Sequence, residues 1–451
     1  MNAFQRLTYG ALFFFGCSSG LAASTLPLKS ALQQLPNSLE WQSADLTFAA
    51  AAQSLSAARA GTGLSLTVGG DAQAGVAVIG SNQVSAGTTA ASLSVSAGAS
   101  LALLPWSAAF DGVRTATRSF DRAGLDLRDT RNTLAIQLIS LYQNARIAQL
   151  DADNARSSQL LVAQQLEVAT QQQKNGQFTK DSLESTRRNA ESAKLTTLQS
   201  MQNLELSRTQ LFNAIQATDN GETLEPLISA STVGTQPLDA LIQTALAQRV
   251  DVQKALSRVG DAEDALNVAT RNRLLPSGSV GVSFGQGSGG TGISSNLGIA
   301  SGTLSISGNT PLTGSNTTAT SLTVSVSANI AVFDPTADTK IRSASLSLDS
   351  SRKSLESTRL AAALDVRQKY ADALLQRQRS TYQQQVLSNA MNALETAKTR
   401  FSLGSITALE VAQNQQTVAQ AQQDLESQIG VQRLSATRLE NATGTYKGET
   451  P

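Results

Sequence analysis

The sequence predicts a mainly α-helical protein with a smaller β component, built from long antiparallel helical hairpins that carry a few strands. Three observations predict this fold. The chain contains an internal twofold repeat, the hydrophobic period changes from 3.6 to 2 inside each repeat, and two stretches, 107–173 and 336–401, have almost no helix-breaking residues. At about 1.5 Å per residue, each such helix would be roughly 100 Å long.

The repeat is visible as matching residues at a nearly constant spacing. Tyr142 and Tyr370 lie 228 residues apart, and so do Gly176 and Gly404. Upstream of the long helices the spacing falls from 229 to 216, so the second copy carries about thirteen extra residues between its two strands. Each copy is predicted to run helix, strand, strand, long helix, turn, helix.

These features divide the chain into five parts. We place a signal peptide at 1–22, the first repeat at 23–216, a linker at 217–236, the second repeat at 237–444 and a C-terminal tail at 445–451. In the first repeat we expect strands at about 62–104, the long helix at about 107–173, a tip at 174–180 and a return helix to 216. In the second repeat we expect strands at about 277–333, the long helix at about 336–401, a tip at 402–408 and a return helix to 442.

The β segments alternate between apolar and small polar residues. In 322–332 every even position is apolar, while the positions between them are Thr, Ser, Asn or Ala. Such a strand has one wet and one apolar face, which fits either a soluble sandwich or a transmembrane barrel. The predicted signal peptide and the scarcity of charged residues favour the barrel. The scarcity of aromatic residues near the strand ends opposes it. The stretches 70–91 and 285–320, rich in Gly, Ser and Thr, could be extended strands or loops.

Strand counting then predicts an oligomer. We expect four strands per chain, too few to close a barrel, because the smallest membrane barrels have about 8. Open strand edges are not tolerated in lipid. Three copies would supply twelve strands.

The composition excludes most catalytic and binding classes. The chain has 35 basic and 34 acidic residues, no histidine and one cysteine. A Ser-His-Asp triad, a Cys-His nucleophile and a His/Cys metal site are therefore unavailable. A net charge of +1 gives no general reason to bind nucleic acid. We expect no enzymatic activity, no catalytic residues, no metal and no cofactor.

The N-terminus has the order of a secretory signal: Arg6, then an apolar stretch, then small residues. Gly20 and Ala22 suit the two small positions before a cleavage site, so we expect cleavage after Ala22. The alternative is lipidation of Cys17, which follows Phe14-Phe15-Gly16 as in a degraded lipoprotein signal.

Several motifs together resemble the TolC-like outer-membrane efflux proteins. Their order and duplication carry the resemblance over about 26–444. The motifs are Gln248-Arg249-Val250-Asp251, Leu275-Pro276, Val332-Phe333-Asp334, Tyr370, Arg400 to Val411, Leu439 to Gly444, and in the first copy Lys174 to Thr179 with Asp181-Ser182-Leu183. The first copy departs from the pattern, since Pro105-Trp106 stands where the second has Phe333-Asp334.

The resemblance implies a homotrimer in the outer membrane with a helical tunnel in the periplasm, conducting drugs, metabolites or unfolded proteins for an efflux or type I secretion system. It implies that the turns bind a periplasmic adaptor (membrane fusion) protein, which in turn joins an inner-membrane pump. The implied adaptor-contacting residues are Gly176, Gln177, Phe178, Thr179, Gly404, Ser405, Ile406 and Thr407. The implied periplasmic aperture consists of Glu410, Gln413 and Asp181.

The sequence is also consistent with other interpretations. Glu410 could equally lie on a solvated helix face. A trimeric adhesin would also combine a barrel with coiled coil, although its strands would be contiguous at the C-terminus. A structural rod spanning the envelope would need no pore.

Overall fold

The first half of the chain forms a long helical hairpin preceded by two strands. The computed structural model describes residues 25–76, 89–227, 236–286, 291–312, 320–330 and 333–446, so the predicted signal peptide, Cys17 and Val332 lie outside the described residues. The elements of this half, in chain order, are β1 (Thr25–Leu26), α1 (Leu28–Gln34), a 3-10 turn (Leu35–Asn37), α2 (Leu39–Ala60), β2 (Ser65–Val76), β3 (Thr89–Ala102), α3 (Ala108–Lys174), α4 (Lys180–Ala214) and β4 (Thr223–Leu224).

The second half forms another long hairpin, this time preceded by four strands. Its elements are α5 (Leu238–Gln248), α6 (Val250–Leu274), β5 (Ser277–Gln286), β6 (Gly292–Gly298), β7 (Thr303–Pro311), β8 (Thr320–Asn329), α7 (Pro335–Ser402) and α8 (Ala408–Thr443). The prediction of a mainly helical fold with some strands is confirmed.

The two long helices owe their length to an interior free of proline and to neighbours along their sides. Helices α3 and α7 have 67 and 68 residues, roughly 100 Å at 1.5 Å per residue. The start of α7 is fixed by Asp334, whose carboxylate accepts hydrogen bonds from the N–H groups of Thr336 and Ala337. Helix α3 packs along α4 and α8, and α7 packs along α8 and α6. Small buried residues such as Ala145, Ala152 and Ala362 allow this close approach.

The largest described apolar core lies midway along α3. There β1 and β4 pair in parallel, and they pack with α1 and the C-terminal end of α4 on the long helix. The residues that are almost fully buried in this core include Leu138, Ile139, Tyr142, Leu211, Ile215 and Leu224. This core joins the N-terminal segment and the segment after α4 to the middle of the rod.

The described strands other than β1 and β4 form one sheet with the order β2-β3-β7-β6-β5-β8, and all neighbours are antiparallel. The expectation of four strands is therefore wrong, because the described residues contain six in this sheet. The additional hairpin, β6 and β7, lies in the Gly/Ser/Thr-rich stretch 285–320. Its alternation is interrupted by Ser295, Gly308 and Thr310, so its period of 2 is weak in the sequence.

The sheet has one apolar and one polar face, because residues directly opposite one another in antiparallel strands point to the same side. Most of the apolar side chains are exposed in the single chain, Val68 by 82% and Val326 by 72%. The apolar face consists of Leu66, Val68, Leu93, Val95, Leu101, Val280, Val282, Phe284, Ile293, Leu297, Leu304, Ile306, Leu322, Val324 and Val326. The opposite face carries Ser, Thr, Asn and Gly, with Asp71 as a charged exception.

Candidate functional site

The turn between α3 and α4 is closed by a glycine in the left-handed conformation. Gly176 has φ +73°, a value that glycine adopts without steric cost. Its N–H donates to the carbonyl of Gln173 at 3.0 Å, and the N–H of Gln177 donates to the carbonyl of Gln172 at 2.8 Å. This pair of bonds is the Schellman motif, which satisfies the last carbonyls of a helix.

The turn between α7 and α8 has the same geometry. Gly404 has φ +72°, and its N–H donates to the carbonyl of Phe401 at 2.9 Å. The N–H of Ser405 donates to the carbonyl of Arg400, also at 2.9 Å. The two hairpins therefore end in tips of matching construction.

Each return helix is capped by a threonine at the corresponding position. The hydroxyl of Thr179 accepts a hydrogen bond from the N–H of Ser182 at 3.2 Å, and that of Thr407 accepts from the N–H of Glu410 at 3.3 Å. The predicted tip residues 176–179 and 404–407 thus comprise the glycine, the two residues after it and the N-cap of the next helix.

The apolar residues of the tips differ in exposure. Phe178 and Ile406, which sequence reasoning singled out, are half-buried. Leu403 is 75% exposed and Phe401 is 48% exposed. Sequence reasoning missed these two, although Leu403 occupies the position just before the turn glycine, where the helix ends and its neighbours no longer cover the side chain. Leu403 is the better candidate for contact with another protein.

The predicted aperture residues lie at the starts of the two return helices. Glu410 is exposed in the first turn of α8, and Gln413 is exposed about one turn further along. Asp181 is exposed in the first turn of α4. The partial positive charge of a helix N-terminus favours acidic groups there, so both carboxylates also have a local structural reason for their positions.

The other family-like motifs meet at the junction between the short and the long helices. The Arg249 guanidinium contacts the Asp365 carboxylate at 2.6 Å and donates to the carbonyl of Ala442 at 3.3 Å. Gly444, with φ +74°, lies so close to Gln248 that an added Cβ would come within 2.9 Å of its main chain. The motif around Arg249 and the motif that ends at Gly444, almost 200 residues apart in sequence, are therefore in contact. Together they form a clamp, a set of contacts that joins the α5–α6 junction to α7 and α8.

Among the described residues, no group of three or more His, Cys, Asp or Glu side chains is arranged to hold a metal ion. Among these residues, no helix has both the length and the apolar character needed to cross a membrane.

Comparison with known proteins identifies the fold as that of outer-membrane channels. It is similar to CusC, a protein described as forming a transmembrane channel, with a TM-score of 0.68, 15% identity and 92% coverage of both chains. It is also similar to the outer membrane protein VceC of Vibrio cholerae, with a TM-score of 0.66, 14% identity and coverage of 92% of this chain and 96% of that one. The CmeC outer membrane channel of Campylobacter jejuni is similar as well, with a TM-score of 0.66 and 14% identity. That match covers 93% of this chain and 85% of CmeC.

A family model also matches part of the sequence. The model of the family described as outer membrane efflux protein matches residues 241–445, which covers most of the second repeat. The resemblance to outer-membrane efflux proteins that the motifs indicated is confirmed. No curated protein matches the chain in sequence.

Proposed function

We propose that three copies of this chain form the outer-membrane channel of a tripartite efflux or type I secretion system. The channel conducts substrates passively from a periplasmic adaptor and an inner-membrane pump to the exterior. The observation that carries the proposal is the two-faced sheet, with Leu, Val, Ile and Phe on one side and Ser, Thr, Asn and Gly on the other, at one end of two helical hairpins about 100 Å long.

The two faces of the sheet fit lipid on one side and water on the other. A membrane barrel has apolar residues outside and a polar lumen. In a soluble sandwich the apolar face would be covered by a second layer, whereas here its side chains are largely exposed. The face belongs against the hydrocarbon of the outer membrane.

The open edges of the sheet support assembly from several copies. In the described chain β2 and β8 each pair on one side only. Unpaired backbone groups are not tolerated in hydrocarbon, so neighbouring copies must pair these edges. The family resemblance gives the number of copies as three.

The paired construction of the hairpins supports an internal twofold repeat that lines a helical tunnel. Residues at the spacing of 228 play corresponding roles: Gly176 and Gly404 turn the chain, and Thr179 and Thr407 cap the next helix. The outer faces of these helices are rich in Gln, Ser, Arg and Asp. Such a wall is compatible with water on both sides.

The tips are the surface proposed to bind the adaptor, and the acids beside them form the proposed aperture. Residues 176–179 and 404–407 lie at the ends of the hairpins, with Leu403 exposed next to them. We assign Glu410 and Asp181, on the first turns of the return helices, to a ring around the periplasmic mouth, where their negative charge would favour cations. Localisation in the outer membrane, with the tunnel in the periplasm, follows from the same assignment.

The test combines bilayer recording with export. Purified protein added to a planar bilayer should conduct ions in discrete steps, and a strain lacking the chain should become sensitive to the substrates of the pump. The matched control is the same preparation heated until the oligomer dissociates. Membrane insertion without conductance, together with normal export, would reject the channel in favour of an envelope-spanning structural protein.

A further inference from the structure

The additional hairpin gives the barrel a different size from the one expected. We infer that each chain contributes six strands to the wall, and that three copies close a barrel of eighteen strands. This inference rests on the proposed function. It depends on three features of β6 and β7: their position in the sheet, the face on which their side chains lie, and the contacts that hold the turn between them.

The hairpin is inserted into the sheet and is not an appendage to it. Strand β3 pairs with β7 over nine residues, from Ser94 opposite Pro311 to Ala102 opposite Thr303. Strand β6 then pairs with β5. Among the described strands, those of the first repeat are thus joined to β5 and β8 only through β6 and β7, and removing the hairpin would leave a gap of two strands.

The hairpin also continues both faces of the sheet. Ile306 lies opposite Ala99 of β3, and Ile293 lies opposite Phe284 of β5, all on the apolar face. On the polar face the hydroxyls of Ser294 and Ser307 are 2.8 Å apart. A shift of one residue would reverse the faces, so the observed register matches that of a lipid-facing wall across all six strands.

The turn between β6 and β7 is anchored at the helical end of the sheet. The indole N–H of Trp106 donates to the carbonyl of Ile299 at 3.0 Å. The carbonyl of Gly302 accepts from the N–H groups of Leu103 and Leu104 at 2.9 and 3.0 Å. Gly302 has φ +66°, and a Cβ there would lie 3.0 Å from that of Ser107.

This anchor accounts for the departure of the first repeat from the family pattern. Pro105-Trp106 stands where the second repeat has Phe333-Asp334, and Trp106 is the residue that holds the inserted turn. The unusual exit from β3 and the extra hairpin of the second repeat are therefore two parts of one structural change.

The free edges have the directions that closure requires. Strand β2 follows α2 and runs away from the helices, whereas β8 runs back toward α7. The β8 edge of one copy can therefore pair antiparallel with the β2 edge of the next. Three sheets of six strands give eighteen, an even number within the range of about 8 to 26 seen in outer-membrane barrels. Because diameter grows roughly linearly with strand number, the barrel is about 1.5 times as wide as a twelve-stranded barrel.

Cysteine cross-linking tests which strand lies beside β3. Cys17 is the only cysteine in the sequence and can be replaced by serine. Ala99→Cys with Ile306→Cys places the two thiols directly opposite each other on β3 and β7. The matched control is Ala99→Cys with Val282→Cys. Ala99 pairs with Ile306 of β7, Ile306 pairs with Ser295 of β6, and Ser295 pairs with Val282 of β5. Val282 is therefore at the same height in the sheet as Ala99 but three strands away.

The experiment uses the full-length oligomer in membranes, with oxidation by copper-phenanthroline, native mass spectrometry to count the copies and bilayer recording of the same samples. The expected result is a conducting trimer in which the 99–306 pair forms an intrachain disulfide and the 99–282 pair does not. A conducting trimer with the 99–282 link, or without the 99–306 link, would overturn the inference and leave the proposed function intact. A copy number other than three would also overturn the count of eighteen. Absence of conductance in every sample would reject the proposed function itself.

Discussion

The buried hydroxyl of Tyr142 donates a hydrogen bond of 2.6 Å to the main-chain carbonyl of Leu26. The same oxygen accepts from the N–H of Glu225 at 2.8 Å. Tyr142 therefore ties the N-terminal strand β1 and the segment that follows β4 to the middle of α3. Its side chain is fully buried, so these backbone groups have no water to replace the phenol.

Replacing Tyr142 with phenylalanine should destabilise the protein by roughly 1–3 kcal/mol, because a buried carbonyl and a buried N–H lose their partner. The effect should be measured as a lower midpoint of chemical or thermal unfolding of the purified protein. Tyr382→Phe is the matched control, since that side chain is 62% exposed and should change the midpoint little. Equal effects of the two substitutions would contradict the role of Tyr142.

The same hydroxyl should make stability dependent on pH in the alkaline range. Burial raises the pKa of Tyr142 from 10.0 to about 12. The stabilisation is complete below pH 10, where Tyr142 is protonated in both the folded and unfolded states. It is lost between about pH 10 and 12, because only the unfolded state ionises there. The difference in unfolding midpoint between wild type and Tyr142→Phe should narrow over this interval. A difference that stays constant would show that the phenol does not titrate in this way.

Adding a side chain at either turn glycine should lower the stability of the protein. Gly404→Ala places a Cβ on a residue with φ +72°, which costs roughly 1–2 kcal/mol although no atom lies within 4 Å of the added carbon. Gly112→Ala is the matched control, because Gly112 also has nothing within 4 Å but lies inside α3. There alanine should stabilise the helix by roughly 0.5–1 kcal/mol. Unfolding midpoints of the two variants should therefore move in opposite directions.

Leu403 should contribute to adaptor binding. Leu403→Glu puts a charge on an exposed apolar side chain at the tip. We expect at least a tenfold loss of affinity for the periplasmic adaptor, or about 1.4 kcal/mol. Bilayer conductance should be unchanged. Leu403→Met, which keeps the apolar surface, is the control and should bind almost normally. Unchanged binding of Leu403→Glu would exclude this residue from the interface.

Glu410 should influence ion selectivity at the aperture. Glu410→Gln removes a negative charge near the proposed mouth and should lower the preference for cations in single-channel recordings. Gln413→Glu, which adds a charge one turn further along the same helix, should raise it. If both reversal potentials equal that of the wild type, Glu410 lies on a solvated face outside the pore.

The parts of the structure that follow from local sequence were predictable. A stretch with no interior proline and few glycines favours an uninterrupted helix. The glycines that follow α3 and α7 supply the left-handed residue that a Schellman turn needs. The residues of the tips could therefore be placed by number. Their exposure could not, because Leu403 is 75% exposed whereas Ile406 is half-buried, and both are apolar residues of the same turn.

The sheet marks where local patterns were insufficient. The alternation of β8 is nearly perfect and could be recognised in isolation, whereas β6 and β7 are interrupted by Ser295, Gly308 and Thr310. Their place depends on pairing with β3 and β5 and on the contact between Trp106 and Ile299, which are 193 residues apart. Such contacts leave no periodic signal in the sequence.

By itself, the sequence determined the mainly helical fold, the glycine turns and the resemblance to outer-membrane efflux proteins, since helix length and turn chemistry are set by residues close together in the chain. Only the tertiary structure decided the number of strands, the clamp of Arg249 and Gly444, and the exposure of Leu403. All three depend on how segments far apart in the sequence pack against each other. Pairing and burial over such long separations are not encoded in any local sequence pattern.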